Sequence, residues 1–151
     1  QPFSPFHWLV VVERQGAYSA ALIDLAGQSR KLKRLDTFIP YLHLVTAYRH
    51  PSAADWQQFT LYGDDPETQS LIQEAWQQQA LDKFRKFAVF PALYRIDHNA
   101  TISCVWFTDL RYHISLTTPP FRYGMCREGL ASEWKLYRLR YFTENTRHAL
   151  G

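Results

Sequence analysis

The chain has 151 residues, 16% of them aromatic and 21% charged, with a net charge of +3. A chain of that length can bury about 68–70% of its unfolded surface, so folding requires neither a metal nor a disulfide. The charge excess is too small to argue for nucleic acid by itself, no apolar run reaches the roughly 18–20 residues of a membrane span, and Gln1-Pro2-Phe3-Ser4 has no signal-peptide character.

In chain order, Phe6 to Val12 (FHWLVVV) and Tyr18 to Leu25 (YSAALIDL) read as two strands around a turn at Gln15-Gly16. That turn pairs Glu13 with Tyr18, Val11 with Ala20 and Leu9 with Leu22. Both strands are apolar on both faces, which predicts central positions covered on both sides. Arg30-Lys31-Leu32-Lys33-Arg34 then places four cations in five residues. Such a run is either a solvated loop or a contact for an anionic surface, lipid headgroups or nucleic acid. Within residues 35–50, LDTFIP suits a short strand, and Tyr41, Leu44, Val45 and Tyr48 have the spacing of a helix stripe. Ser52-Ala53-Ala54-Asp55 resembles a capping box and predicts a short helix to about Phe59. The clearest helix start is Asp65-Pro66-Glu67, with an N-cap carboxylate, proline at the first helical position and an acid near the positive dipole end. Ile72, Trp76, Ala80, Phe84 and Phe87 follow at steps of three and four. They predict one long helix over about 66–88, packed on one sheet face.

Phe90 to Tyr112 reads as a hairpin around His98-Asn99-Ala100. Hydrophobic patterning favours Ile96 opposite Ile102, Tyr94 opposite Cys104 and Ala92 opposite Trp106, as one apolar face. Cys104 and Cys126 both fall in apolar runs, where buried free thiols are the commoner outcome and a cross-strand disulfide the alternative. Thr117-Thr118-Pro119-Pro120 is a rigid break. Phe121 to Glu128 and Trp134 to Phe142 read as two further strands, and the polar residues from Thr143 onward as a fraying tail.

The sequence spells out no reaction. The six histidines are scattered, and no phosphate-cradling or nucleophile-elbow motif is present. The best polar constellation is Asp109, Arg111 and Arg95, with Glu13 as a fourth member. Charges inside strands of Val, Ile, Trp and Phe imply either a buried salt-bridge network or a polar-ligand site. We expect the former.

Pro2-Phe3-Ser4-Pro5-Phe6-His7-Trp8 running into Val10-Val11-Val12-Glu13, then Lys83-Phe84-Arg85-Lys86-Phe87, Phe90-Pro91-Ala92-Leu93-Tyr94-Arg95-Ile96, Thr108-Asp109-Leu110-Arg111-Tyr112 and Pro120-Phe121 occur in an order that resembles the C-terminal soluble region of the YdjM-type family. That family comprises LexA-regulated or LexA-binding inner-membrane proteins described as metal-dependent hydrolases. The resemblance covers most of residues 2–128 and departs from the family pattern over 30–60 and 129–151. It implies a divalent metal held by histidines of an N-terminal membrane region outside this sequence, so no catalytic or metal-binding residue carries over. The first residue is Gln1 and the one methionine is Met125, which leads us to expect an excised C-terminal part of a longer membrane protein. The resulting expectation is a single α+β domain over 1–151. It has a twisted antiparallel sheet of about five to seven strands, the 66–88 helix on one face and one or two short helices. Its function would be that of a soluble accessory domain, itself without cofactor. Its partners would be its own membrane region and, through Arg30, Lys31, Lys33 and Arg34, anionic lipid. Nucleic acid is disfavoured. The first rival reading is a ligand-binding or protein-interaction module using the Arg95, Asp109 and Arg111 face, and the second is a weak nucleic-acid binder through the basic loop 30–34.

Overall fold

The computed structural model describes residues 5–27, 47–99, 101–114, 117–129, 132–141 and 143–150. The chain divides into two compact units, Gln1–Gln58 with Ile114–Thr117, and Phe59–His113 with Thr118–Gly151. The class is mixed α+β with antiparallel strand pairing, as expected, but the strands form two sheets instead of one. Among the described residues, no helix is long and apolar enough to cross a membrane.

In the first unit, β1 (His7–Arg14) and β2 (Ala17–Asp24) form a hairpin. Its two loop residues, Gln15 and Gly16, have φ of 52° and 79°. Left-handed conformations at both loop positions match the right-handed twist of the flanking strands. The register pairs Glu13 with Tyr18, Val11 with Ala20 and Leu9 with Leu22, as the sequence predicts. β3 (Gln57–Thr60) is the third strand, in the order β1-β2-β3. The central strand β2 is therefore buried from Ala20 to Asp24, while the edge strand β1 leaves Trp8 and Val12 exposed. Coverage on both faces holds for β2 alone. The short helix expected over 52–59 does not form. His50, not Ser52, caps a single 3-10 turn at Pro51–Ala53, and Ala54 then leaves it in an extended conformation that leads into β3. The basic cluster of Arg30, Lys31, Lys33 and Arg34, and the strand and most of the helix expected within 35–50, lie outside the described residues.

The first helix of the second unit is α1 (Pro66–Trp76), which starts where the sequence predicts. The Asp65 side chain accepts a hydrogen bond from Glu67 N at 3.1 Å, with Pro66 in the first turn. The long helix is not continuous, however. Gln78 adopts an extended backbone, and a 3-10 turn (Gln79–Leu81) leads into a separate short helix, α2 (Asp82–Phe87). The break is held by Arg85, whose guanidinium donates to the freed Trp76 carbonyl and pairs with Asp82. It also rotates the stripe: Leu81 becomes fully buried, whereas Ala80 and Phe87 face outward.

Five strands follow as an antiparallel meander: β4 (Pro91–His98), β5 (Ile102–Asp109), β6 (Arg122–Glu128), β7 (Lys135–Leu139) and β8 (Arg147–Ala149). The tail thus ends in an edge strand instead of fraying. The β4–β5 register also differs from expectation: Arg95 opposes Trp106 and Asp97 opposes Cys104, with a bulge between Leu93 and Arg95 that leaves Tyr94 unpaired. The cause is the Asn99 side chain, which accepts from Thr101 N, Thr101 Oγ1 and Ile102 N at 2.9–3.0 Å and so lengthens the loop. Val105 and Phe107, with Met125 of β6, consequently meet Ile72, Ala75, Leu81 and Phe84 in the helix-side core. Each of the larger of these side chains contributes about 1.5–3 kcal/mol on burial. The opposite sheet face carries Cys104, Trp106, Cys126 and Leu139, flanked by Tyr94 and Tyr137. Cys104 and Cys126 stand opposite each other on β5 and β6 and form a disulfide, which corrects the expectation of free thiols. A Cβ on Gly124 would lie 2.4 Å from the Trp106 ring, so glycine is what lets that indole lie across β6.

Candidate functional site

Of the predicted constellation, Asp109 and Arg111 do come together. Asp109 ends β5 with a side chain of 0% exposure, and Arg111 Nη2 lies 2.6 Å from its Oδ2. The same carboxylate accepts from Arg111 Nε at 2.8 Å, from Arg111 N at 3.0 Å and from Val89 N at 3.0 Å. Burial pushes the Asp109 carboxyl up, but these hydrogen bonds and the guanidinium charge outweigh it and hold the group below its usual value. Arg111 also donates to the Phe87 carbonyl at 2.7 Å. Asp109 and Arg111 therefore clamp α2, β4 and the end of β5 to one another.

Arg95 is not part of that clamp. It pairs with Asp97 at 3.0 Å, and Trp106 Nε1 donates to the same carboxylate at 2.8 Å. The bulge at Tyr94 explains the separation, because Arg95 lies beside Trp106 on the sheet face away from the helices, while Asp109 follows Val105 and Phe107 on the helix side. Glu13 is exposed on β1 in the first unit. The sequence grouped four charges that the fold distributes over three places.

Three rings from separate stretches of the second unit meet at the end of α2. Phe87, Tyr112 and Phe121 form an aromatic corner, with ring centroids 6.0 Å apart for Phe87–Tyr112, 5.4 Å for Phe87–Phe121 and 4.6 Å for Tyr112–Phe121. The Arg111 guanidinium stands 5.0 Å from the Phe87 ring centre and 5.3 Å from that of Tyr112. Phe87 is 41% exposed and Val89 54%, so the corner presents apolar surface to solvent.

Beside it lies a cavity of about 510 Å³ between α2 and strands β6 to β8. Phe84, Phe87, Tyr123, Leu136 and Leu150 make most of its wall, and Lys83 and Arg138 are its charged members. Among the described residues that line it there is no carboxylate. Arg138 stacks on Tyr141 at 5.0 Å, and its buried Nε has no hydrogen-bond partner. An apolar enclosure of this size with a few convergent polar groups is the ordinary form of a small-molecule site. Sequence reasoning treated Phe84 and Phe87 as helix stripe and left Lys83 off that stripe. Only the return of β7 and β8 along this face brings Leu136, Arg138 and Leu150 to them. Among the described residues, no three His, Cys, Asp or Glu side chains gather as a metal site. Comparison with protein-family models, curated proteins and solved structures gives no match to this chain.

Proposed function

We propose that this chain is a binding domain without hydrolytic chemistry of its own, and that the cavity under α2 takes an amphipathic anion. The ligand would have an aromatic or alkyl body and one carboxylate or phosphate head. The observation that carries this reading is the pairing of an apolar wall with two cations and no acid, one cation keeping an unsatisfied buried donor. The body lies against Phe84, Tyr123 and Leu136, and the head meets Lys83 and the Arg138 guanidinium. Each such charge-assisted hydrogen bond contributes about 1.5–3 kcal/mol. The test is calorimetric titration with a medium-chain carboxylate and with the alcohol of the same length. Binding of the acid alone, weakened at least tenfold in Arg138→Gln, supports the reading. Equal binding of acid and alcohol, or none of either, overturns it.

A second reading rests on the aromatic corner, where Phe87, Tyr112 and Phe121, from three of the resemblance-bearing segments, meet. In it the chain is the accessory domain of an inner-membrane hydrolase of the YdjM type. Its first partner is then its own N-terminal membrane region, which also holds the divalent metal, and the exposed Phe87 and Val89 are the contact. The basic run at Arg30, Lys31, Lys33 and Arg34 would add attraction to anionic lipid, at about 1 kcal/mol per cation near the surface. Membrane spans encoded directly upstream would support this reading. An initiator methionine a few residues upstream of Gln1 would overturn it without touching the ligand proposal.

A further inference from the structure

The Cys104–Cys126 disulfide has two features that a purely structural crosslink does not need. Arg147, on the exposed three-residue edge strand β8, directs its Nη1 at both sulfurs, 3.3 Å from Cys104 Sγ and 4.0 Å from Cys126 Sγ. In addition, Cys126 belongs to the wall of a second cavity, of about 280 Å³, at the end of the sheet. That cavity is polar: Lys135, Glu128 and Glu133 line it, with Ser132 and Tyr137. It is separate from the apolar cavity under α2, with which it shares no lining residue.

We propose that Cys104–Cys126 is an exchangeable disulfide, reduced through this cavity by a small or peptidic thiol carrying charges of both signs. Lys135 takes a carboxylate of the incoming thiol, and Glu128 or Glu133 takes its ammonium. The thiolate attacks Cys126 Sγ. A mixed disulfide forms between that sulfur and the incoming one, and the Cys104–Cys126 bond breaks. The electron pair leaves with Cys104 Sγ as a thiolate, beside the Arg147 guanidinium. A second thiolate then attacks the sulfur of the bound thiol, releasing the oxidised dimer of the reductant and Cys126 as a thiolate. Two electrons pass from two thiols to the protein disulfide, and the protons of the two thiols end on water or on the protein thiols. Arg147 acts as a positioning residue. A cation beside a leaving sulfur stabilises the thiolate, speeds its departure and favours the reduced form at equilibrium. A short, solvent-facing edge strand also opens locally more readily than the core of a sheet, which gives the reductant access without global unfolding.

The experiment uses the full 151-residue chain in glutathione redox buffers. Free thiols are counted by alkylation and mass spectrometry, and circular dichroism records the fold in parallel. The wild type is expected to exchange while folded. Arg147→Gln, with both cysteines retained, is expected to shift the equilibrium toward the disulfide by roughly tenfold, the equivalent of one hydrogen bond to a charged group. In Cys104→Ser the trapped glutathione adduct is expected on Cys126. Reduction only in denaturant, or an Arg147→Gln equilibrium identical to the wild type, overturns the proposal. Should Cys104→Ser fail to fold, the Arg147→Gln comparison decides alone.

Discussion

The two faces of the five-stranded sheet are closed by different physics. On the helix side, Val105, Phe107 and Met125 meet Ile72, Ala75, Leu81 and Phe84, and removal of apolar surface from water is the main force. On the other side, arginines lie over rings: Arg95 and Arg122 at 5.8 and 5.4 Å from Tyr94, and Arg147 at 5.5 Å from Tyr137. A disulfide and a glycine-seated indole complete that face. The difference shows how one strand can serve two cores. β5 alternates, so Val105 and Phe107 belong to one face, while Cys104 and Trp106 belong to the other. The centre of the helix side depends on volume, which tolerates exchange among apolar residues, although Arg127 over Trp134 at 4.5 Å and Arg85 over Trp76 at 5.9 Å add cation–π contacts at its margin. The arginine side depends on particular atoms, and Arg122 illustrates its demands. It is fully buried and donates through Nη2 to the Arg140 and Thr143 carbonyls at 2.8 and 2.9 Å, while Nε and Nη1 have no partner.

The largest effect is expected at the rim of the helix side. Asp109→Ala orphans Val89 N and takes from Arg111 its carboxylate, leaving the guanidinium its bond to the Phe87 carbonyl, and should cost about 3 kcal/mol or somewhat more in urea unfolding. The same carboxylate also makes that face sensitive to acid. Its pKa in the folded state is depressed, so its contribution is present above the unfolded value, near 3.8, and is lost as pH falls through the folded one. The Asp109→Ala variant should lose that acid-dependent component. A variant as stable as the wild type at pH 7 would remove the clamp from the account.

On the arginine side, replacing Cys104 and Cys126 together by Ala should cost about 2–4 kcal/mol, the range for closing a loop of this order. The effect should be seen as a lower urea midpoint under oxidising conditions and should vanish when both proteins are fully reduced. Next comes Gly124→Ala, which drives a methyl into the Trp106 ring and should cost about 1–3 kcal/mol as overpacking. Because the chain has five tryptophans, the local readout is the part of the fluorescence change that Trp106→Phe abolishes; a silent substitution would mean that the indole does not lie across β6. The smallest effect is expected beyond the end of β5, at His113. Burial pushes its pKa down, its Nδ1 has no partner, and its ring meets Phe59 edge-on at 4.8 Å. The unfolded chain therefore takes up a proton more readily, and stability should fall as pH drops below about 6.5. His113→Phe should flatten that slope in unfolding curves collected from pH 8 to 5.

Much of the candidate site was visible only as parts. Phe84, Phe87 and Lys83 were recognised as members of a helix, and Asp109 and Arg111 as charges needing a reason. Asp109 and Arg111 were grouped, but with Arg95 and Glu13 of neighbouring strands as their expected partners; they pair with each other because the chain leaves β5 in a 3-10 turn at Leu110–Tyr112. Arg95 was misgrouped, because the bulge at Tyr94 is set by how β4 lies on β5 and has no local signature. Arg138 and Leu150 join Phe84 only after β7 and β8 return along the sheet, and no periodicity in the sequence announces that return.

By itself, the sequence determined what short-range physics controls. The β1–β2 register followed from a two-residue loop that accepts left-handed φ at Gln15 and Gly16. The start of α1 followed from Asp65 and Pro66, whose effects are confined to one turn. The mixed class followed from the change of hydrophobic period between segments. The tertiary structure decided the rest. It set the β4–β5 register, since the Asn99 turn and the bulge override the pairing that hydrophobic patterning favoured. It broke the helix at Gln77 and Gln78, since Arg85 supplies the lost backbone partner from the following turn. It joined Cys104 to Cys126, since only the register of β5 on β6 places those two side chains opposite each other.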